Sequence, residues 1–314
     1  MSATERMSAT RRDQVTSAVG PSAPVSRAGR RPEATAAHLA VVPATGSFDL
    51  RDFVDHPRTS DLGEQVHQGL AQADLPAGVL VVLDHLRRTE QGVLDWMRDV
   101  LIGPTQVDAE VTAFLTTWAY EKYWLGQTVA RISQAHRPPP PSRPGLVARI
   151  GDQLHERLWP SVATIGTNLT GPAVTAGYLA RALADTLAQR VMMIRLAQIC
   201  PPLLPLTRTA LHTTERHVAF FAHNLRRRAA HAPSRAAVHL ALRTWRWPGG
   251  RYGDRAQVAV MLRYLLGHVA ARAPVAQADE ALARLPGAPG RAVLRTEFAR
   301  FVVHGTSACQ VRVQ

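Results

Sequence analysis

Apolar residues recur along most of this chain at the three-and-four spacing of one helix face. The clearest stripe is Val111, Phe114, Leu115, Trp118, Leu125, Val129 and Ile132, which predicts an amphipathic helix aimed at a core. A second stripe, Val79, Val82, Leu83, Leu86, Val93, Leu94, Met97 and Val100, predicts one helix from Pro76 to a stop at Gly103-Pro104. Ahead of it, Asp61-Leu62-Gly63-Glu64 reads as a capping box opening a short helix through about 73. Thr105 or Asp108 is expected to cap the Val111 helix. The run from His136 through Pro141 predicts a stiff polyproline break.

Beyond that break a helix over 146–159 is expected to end at Pro160. Thr170 then caps a long helix, with Pro172 near its start, that stops at Pro201-Pro202. A sixth helix over 203–228 carries Leu206, Ala210, Thr213, His217, Phe220, Phe221 and Asn224 on one side. Helices over 231–245, near 254–272 and near 291–303 complete the pattern, the first two joined by a Trp-Arg-Trp-Pro-Gly-Gly loop. No stretch alternates like a strand, so the fold class is all-α. Residues 1–46, rich in Ser, Ala, Pro and Arg, have no sustained apolar face and read as a disordered tail. The organisation expected is that tail, a helical lead-in over 47–75, a four-helix core over 76–230 and a C-terminal helical extension over 231–314.

Polar residues interrupt four of these faces. Glu90 falls in the second stripe, between Leu86 and Val93. Lys122, the single lysine of the chain, lies on the Val111 stripe, with Glu121 one position off it. Asp185 and Gln189 look inward from the fifth helix, and Thr213, Thr214 and His217 from the sixth. An ammonium aimed at a core needs a carboxylate partner or an altered pKa. Glu90, with Asp185 as a second candidate, is the expected partner. The bland alternatives are a Glu90 turned to solvent and a Lys122 that snorkels its head group outward. For His217 the bland alternative is a satisfied core histidine, and for Tyr120, Tyr123, Trp118 and Trp124 it is helix packing.

Composition narrows the classes. Of 37 Lys and Arg residues only Lys122 is lysine, leaving 36 arginines behind a formal charge of +13. That charge favours acidic partners, including nucleic acid. The arginines are scattered rather than arrayed on one recognition helix, so nucleic acid is the weaker expectation. No run approaches the ~20 apolar residues that cross a bilayer, and the opening residues lack the apolar segment of a secretory signal. The two cysteines, Cys200 and Cys309, sit in no metal-binding or disulfide pattern. A cytoplasmic location is expected from these features.

The polar layout resembles that of di-iron carboxylate bundles, where one Glu from each of two helices and Glu-x-x-His from each of two others project inward. The segment Trp118-Ala119-Tyr120-Glu121-Lys122-Tyr123-Trp124-Leu125-Gly126 is similar to the Trp-x-x-Glu-Glu-x-x-His-Gly segment of ferritin-like proteins of the acyl-carrier-protein desaturase type. Thr213-Thr214-Glu215-Arg216-His217 looks like that family's second ligand region, Asp-Glu-x-Arg-His. The resemblance covers roughly 76–230. It puts Lys122 and Leu125 where the family has a ligand glutamate and histidine, and Thr214 where it has a second glutamate. His217 and Glu90 match the family pattern, while the fifth-helix ligand aligns with Asp185, Thr186 or Gln189.

Two retained ligands cannot hold a di-iron centre, which needs about six side chains. The resemblance therefore implies a bundle whose metal site has decayed, with a Lys122–Glu90 pair in the metal's place and no cofactor. Such a protein would bind an acyl-type ligand or an acidic carrier protein rather than oxidise it, and would form a homodimer. The alternative is a divergent iron or manganese oxidase of desaturase type that recruits Glu121, Asp185 or Glu215 beside Glu90 and His217. A further alternative is an arginine-rich nucleic-acid binder.

Overall fold

A computed structural model describes residues 48–101, 108–136, 146–248 and 255–308. The expected tail over 1–46, most of the proline run after His136, and Cys309 lie outside these residues. Every regular element among the described residues is helical, as the apolar spacing predicts. In chain order they are α1 (Leu50–Asp55), α2 (Glu64–Gln72), α3 (Ala77–Gln91), α4 (Val93–Leu101), α5 (Ala109–Ala135), α6 (Leu146–Ile199), α7 (Leu204–Arg228), α8 (Ala232–Arg243), α9 (Arg255–Leu266), α10 (Arg272–Ala283) and α11 (Val293–Ala308). Short 3-10 turns at Pro201–Leu203 and Val269–Ala271 join α6 to α7 and α9 to α10.

Helix α3 packs against α5, and α6 packs against both α7 and α8. Helices α1, α2 and α4 lie on α5, while α9, α10 and α11 close the other end against one another, α3 and α6. One apolar cluster runs from Phe53 through Leu83, Phe114, Leu187 and Phe220 to Leu262 and Phe301. Gly126 sets the approach of α5 to α3: a Cβ there would lie 3.0 Å from the Cβ of Glu90, tighter than ordinary contact. Asp108 caps α5 by accepting the Val111 N–H at 3.1 Å.

Several expectations are corrected. The predicted single helix from Pro76 is two, because the chain breaks at Gly92, whose N–H turns back to the carbonyls of Arg88 and Glu90. The break rotates α4, so Leu94 is 47% exposed rather than on the buried stripe. The capping box does not form: Gly63, at φ 73°, precedes α2 without a side-chain cap. Asp61 instead accepts the Gly63 N–H, and Glu64 pairs with Arg131 at 2.5 Å. Pro160 lies inside α6 instead of ending it. The break in α6 comes at Gly171, whose φ of 22° leaves the helical region and which Pro172 follows without an amide proton. The pattern predicts no helix over 272–283, yet α10 forms there and buries Val275, Ala278 and Leu282. Pro274 falls in its first turn, where the missing N–H removes no intrahelical bond.

Candidate functional site

Four helices bring their polar residues to one level of the core. From α5, Lys122 Nζ lies 3.3 Å from Glu90 Oε1 on α3 and also donates to Gln189 Oε1 on α6. Gln189 Nε2 donates to the same Glu90 oxygen at 2.5 Å, closing a three-residue ring. The three residues are at most 5% exposed, and Lys122 also stands 5.9 Å over the Trp118 ring. Burial pushes the Glu90 carboxyl above its usual range, and the Lys122 charge and hydrogen bond pull it back. Gln189 is thus the α6 residue that reaches the ammonium. Asp185, one turn earlier, accepts the Trp245 indole N–H at 2.8 Å and does not reach the ammonium ring.

Glu121, one residue before Lys122, points to the other side of α5 and forms a second cluster. Its Oε1 accepts the Arg58 backbone N–H at 2.8 Å and Arg216 Nη1 at 3.3 Å. Its Oε2 lies 2.7 Å from His217 Nε2 on α7. Arg216 also donates to the carbonyls of Phe53 and His56 and stacks 4.5 Å over the Phe53 ring. Glu121, one position off the stripe, is fully buried and joins α5, α7 and the segment after α1. Thr214 bonds its own helix at the Ala210 carbonyl, and Leu125 packs as a buried apolar residue.

His217 is enclosed by the rings of Phe53, Phe114 and Trp118. Burial pushes its pKa down to about 4 against the pull of Glu121, so the ring is neutral near pH 7. His85 on α3 is likewise pushed down to about 4 by burial, reinforced by Arg88. A histidine whose folded pKa is depressed stabilises the fold fully above its unfolded value of ~6.5. That contribution is lost as pH falls towards the folded value, because the unfolded chain takes up the proton first. Stability against equilibrium unfolding is therefore expected to fall as pH drops from 6.5 to about 4, and a His85→Gln/His217→Gln variant to flatten that slope. An unchanged slope in the double variant would assign the acid sensitivity to other groups.

The residues present do not fit a di-iron centre. Glu90 is engaged by an ammonium and an amide, and His217 Nε2 by Glu121. A cation drawn to Glu90 would meet the Lys122 charge 3.3 Å away. Two of the three substitute donors are committed too, Glu121 to its cluster and Asp185 to Trp245. Among the described residues, no three His, Cys, Asp or Glu side chains converge as a metal cage.

Beside the ammonium ring opens a cavity of about 440 Å³ that residue spacing alone did not disclose. Lys122, Gln189 and Trp118 line one side. Trp96, Met192, Trp247 and Phe301 form apolar walls, and Arg181, Asp185, Arg246 and Glu297 add charge. Trp247 reaches it because three anchors hold the segment after α8: Trp245 on Asp185, Arg246 on Glu297 at 3.6 Å, and the Pro248 carbonyl on His85. The Trp-Arg-Trp-Pro segment is legible in sequence as a loop, but its place over the bundle centre is not. No protein-family model, curated protein or solved structure matches this chain.

Proposed function

We propose that this chain is a ferritin-like, acyl-carrier-protein desaturase-like bundle whose di-iron site has decayed and which now binds rather than oxidises. The observation that carries the reading is the buried Lys122 ammonium, bonded to Glu90 and Gln189 where α3, α5 and α6 meet. It supplies one fixed positive charge at a level where the resembling family holds cations. Beside it, the cavity falls within the ~300–1,000 Å³ of ordinary ligand sites. A small molecule with an apolar body and a polar head suits such walls, the implied acyl-type ligand among them.

The oxidase alternative needs Glu121, Asp185 or Glu215 as ligands, and the first two already hold other partners. The nucleic-acid alternative needs unpaired arginines on one face. Instead Arg216, Arg227 and Arg228 are spent on Glu121, Glu110 and Asp108, tying the end of α7 to α5. Metal analysis of protein produced with added iron and manganese tests the reading. Far less than one metal per chain is expected; stoichiometric metal would overturn it.

A further inference from the structure

At the cavity beside Lys122 one hydrogen-bond donor is left over. An ammonium has three protons, and Glu90 and Gln189 take two of them. The lining acids are otherwise employed, Asp185 by Trp245 and Glu297 by Arg246 and Arg300. Lys122, Arg181, Arg246, Asp185 and Glu297 share the lining, and Glu90 stands behind Lys122 outside it. A carboxylate oxygen complements the remaining Lys122 proton.

The walls select the body of the ligand. Trp96 and Trp118 meet edge to face at 5.2 Å, and Trp247 and Phe301 complete an aromatic enclosure. Ring edges and faces are matched better by another π-system than by a flexible alkyl chain, which also loses rotamer freedom on entry. We infer that this cavity binds a planar aromatic carboxylate, its ring between the indoles and its carboxylate on Lys122. The inference rests on the binding role proposed above and names the class of ligand.

Calorimetric titration of the full chain with 2-naphthoate, 2-naphthalenemethanol and decanoate tests it. One 2-naphthoate per chain is expected, about ten- to a hundredfold tighter than the neutral alcohol, the worth of one charge-assisted hydrogen bond. Decanoate should be the weaker acid. Met192→Trp, or Thr89→Phe if the first variant does not fold, should plug the cavity and weaken 2-naphthoate at least about tenfold. Alcohol or decanoate binding as tightly as 2-naphthoate, indifference to both plugs, or no heat with any probe would overturn the assignment. Tighter decanoate would leave a binding protein of another ligand class, whereas stoichiometric iron would remove the binding role itself.

Discussion

Replacing Lys122 by methionine is expected to destabilise the protein by on the order of 3–5 kcal/mol, the usual consequence of stranding one member of a buried pair. The shape of the side chain is nearly kept, so the loss reports charge and hydrogen bonding rather than a cavity. Glu90 would keep only Gln189, and its second oxygen already has no partner among the described residues. Two signatures separate this outcome from poor packing. A carboxyl whose folded pKa is raised stabilises most below its unfolded value and loses that contribution as pH rises. The penalty of Lys122→Met should therefore grow from pH 5 to pH 8. Adding Glu90→Gln should recover most of the stability by removing the stranded charge. Urea unfolding of the two single variants and the double variant measures both effects. A loss near zero, or independent additive losses, would show that the pair does not hold α3, α5 and α6 together.

The second large effect is expected at Glu121. Glu121→Ala removes the acceptor shared by His217, Arg216 and the Arg58 backbone N–H, leaving one charged and two neutral donors in a fully buried place. A loss of about 3–5 kcal/mol is expected, since stranded partners cost more than an absent bond contributes. The injury should be local first. Arg216 holds the carbonyls of Phe53 and His56, so hydrogen exchange across α1 and residues 56–58 should speed up before the helices behind it open. Glu121→Gln, which keeps an acceptor but loses the charge, should fall between. Unchanged exchange over residues 50–58 would mean that the contacts around Phe53, not Glu121, anchor that segment.

Where the two carboxylates would go was only partly readable beforehand. Glu90 interrupts a clean apolar stripe, and a charge in that setting has few explanations. Lys122 is equally conspicuous, as a lone cation on a buried face. Glu121 was legible only as a polar residue beside the stripe, because a period count follows one face and a helix with neighbours on two sides buries more than one. Its partners Arg58 and His217 lie 63 and 96 residues away, so no local spacing points to them. Asp185, offered beforehand only as a second candidate partner for Lys122, accepts from Trp245, 60 residues later, which no local spacing indicates.

Helix breaks show the same limit in another form. Apolar periodicity carries across Gly92 because the residues on both sides are apolar at helical spacing. The turn there is a backbone choice that the pattern does not register. Pro160 looks like a stop and is not one, while Gly171 ends the regular course of α6 with a φ of 22°.

By itself the sequence determined the all-α class, most of the faces that form the core, a cap at Thr105 or Asp108 and the conflict posed by Glu90 and Lys122. Those follow from short-range physics: helical spacing, capping chemistry and the cost of a charge away from water. Only the tertiary structure decided that Gln189 completes the ring, that Glu121 and His217 form a separate cluster, and that Trp247 closes a cavity beside them. Each depends on which helix lies against which. Contacts between residues tens of positions apart are set by packing of the whole core, not by any segment's own preferences.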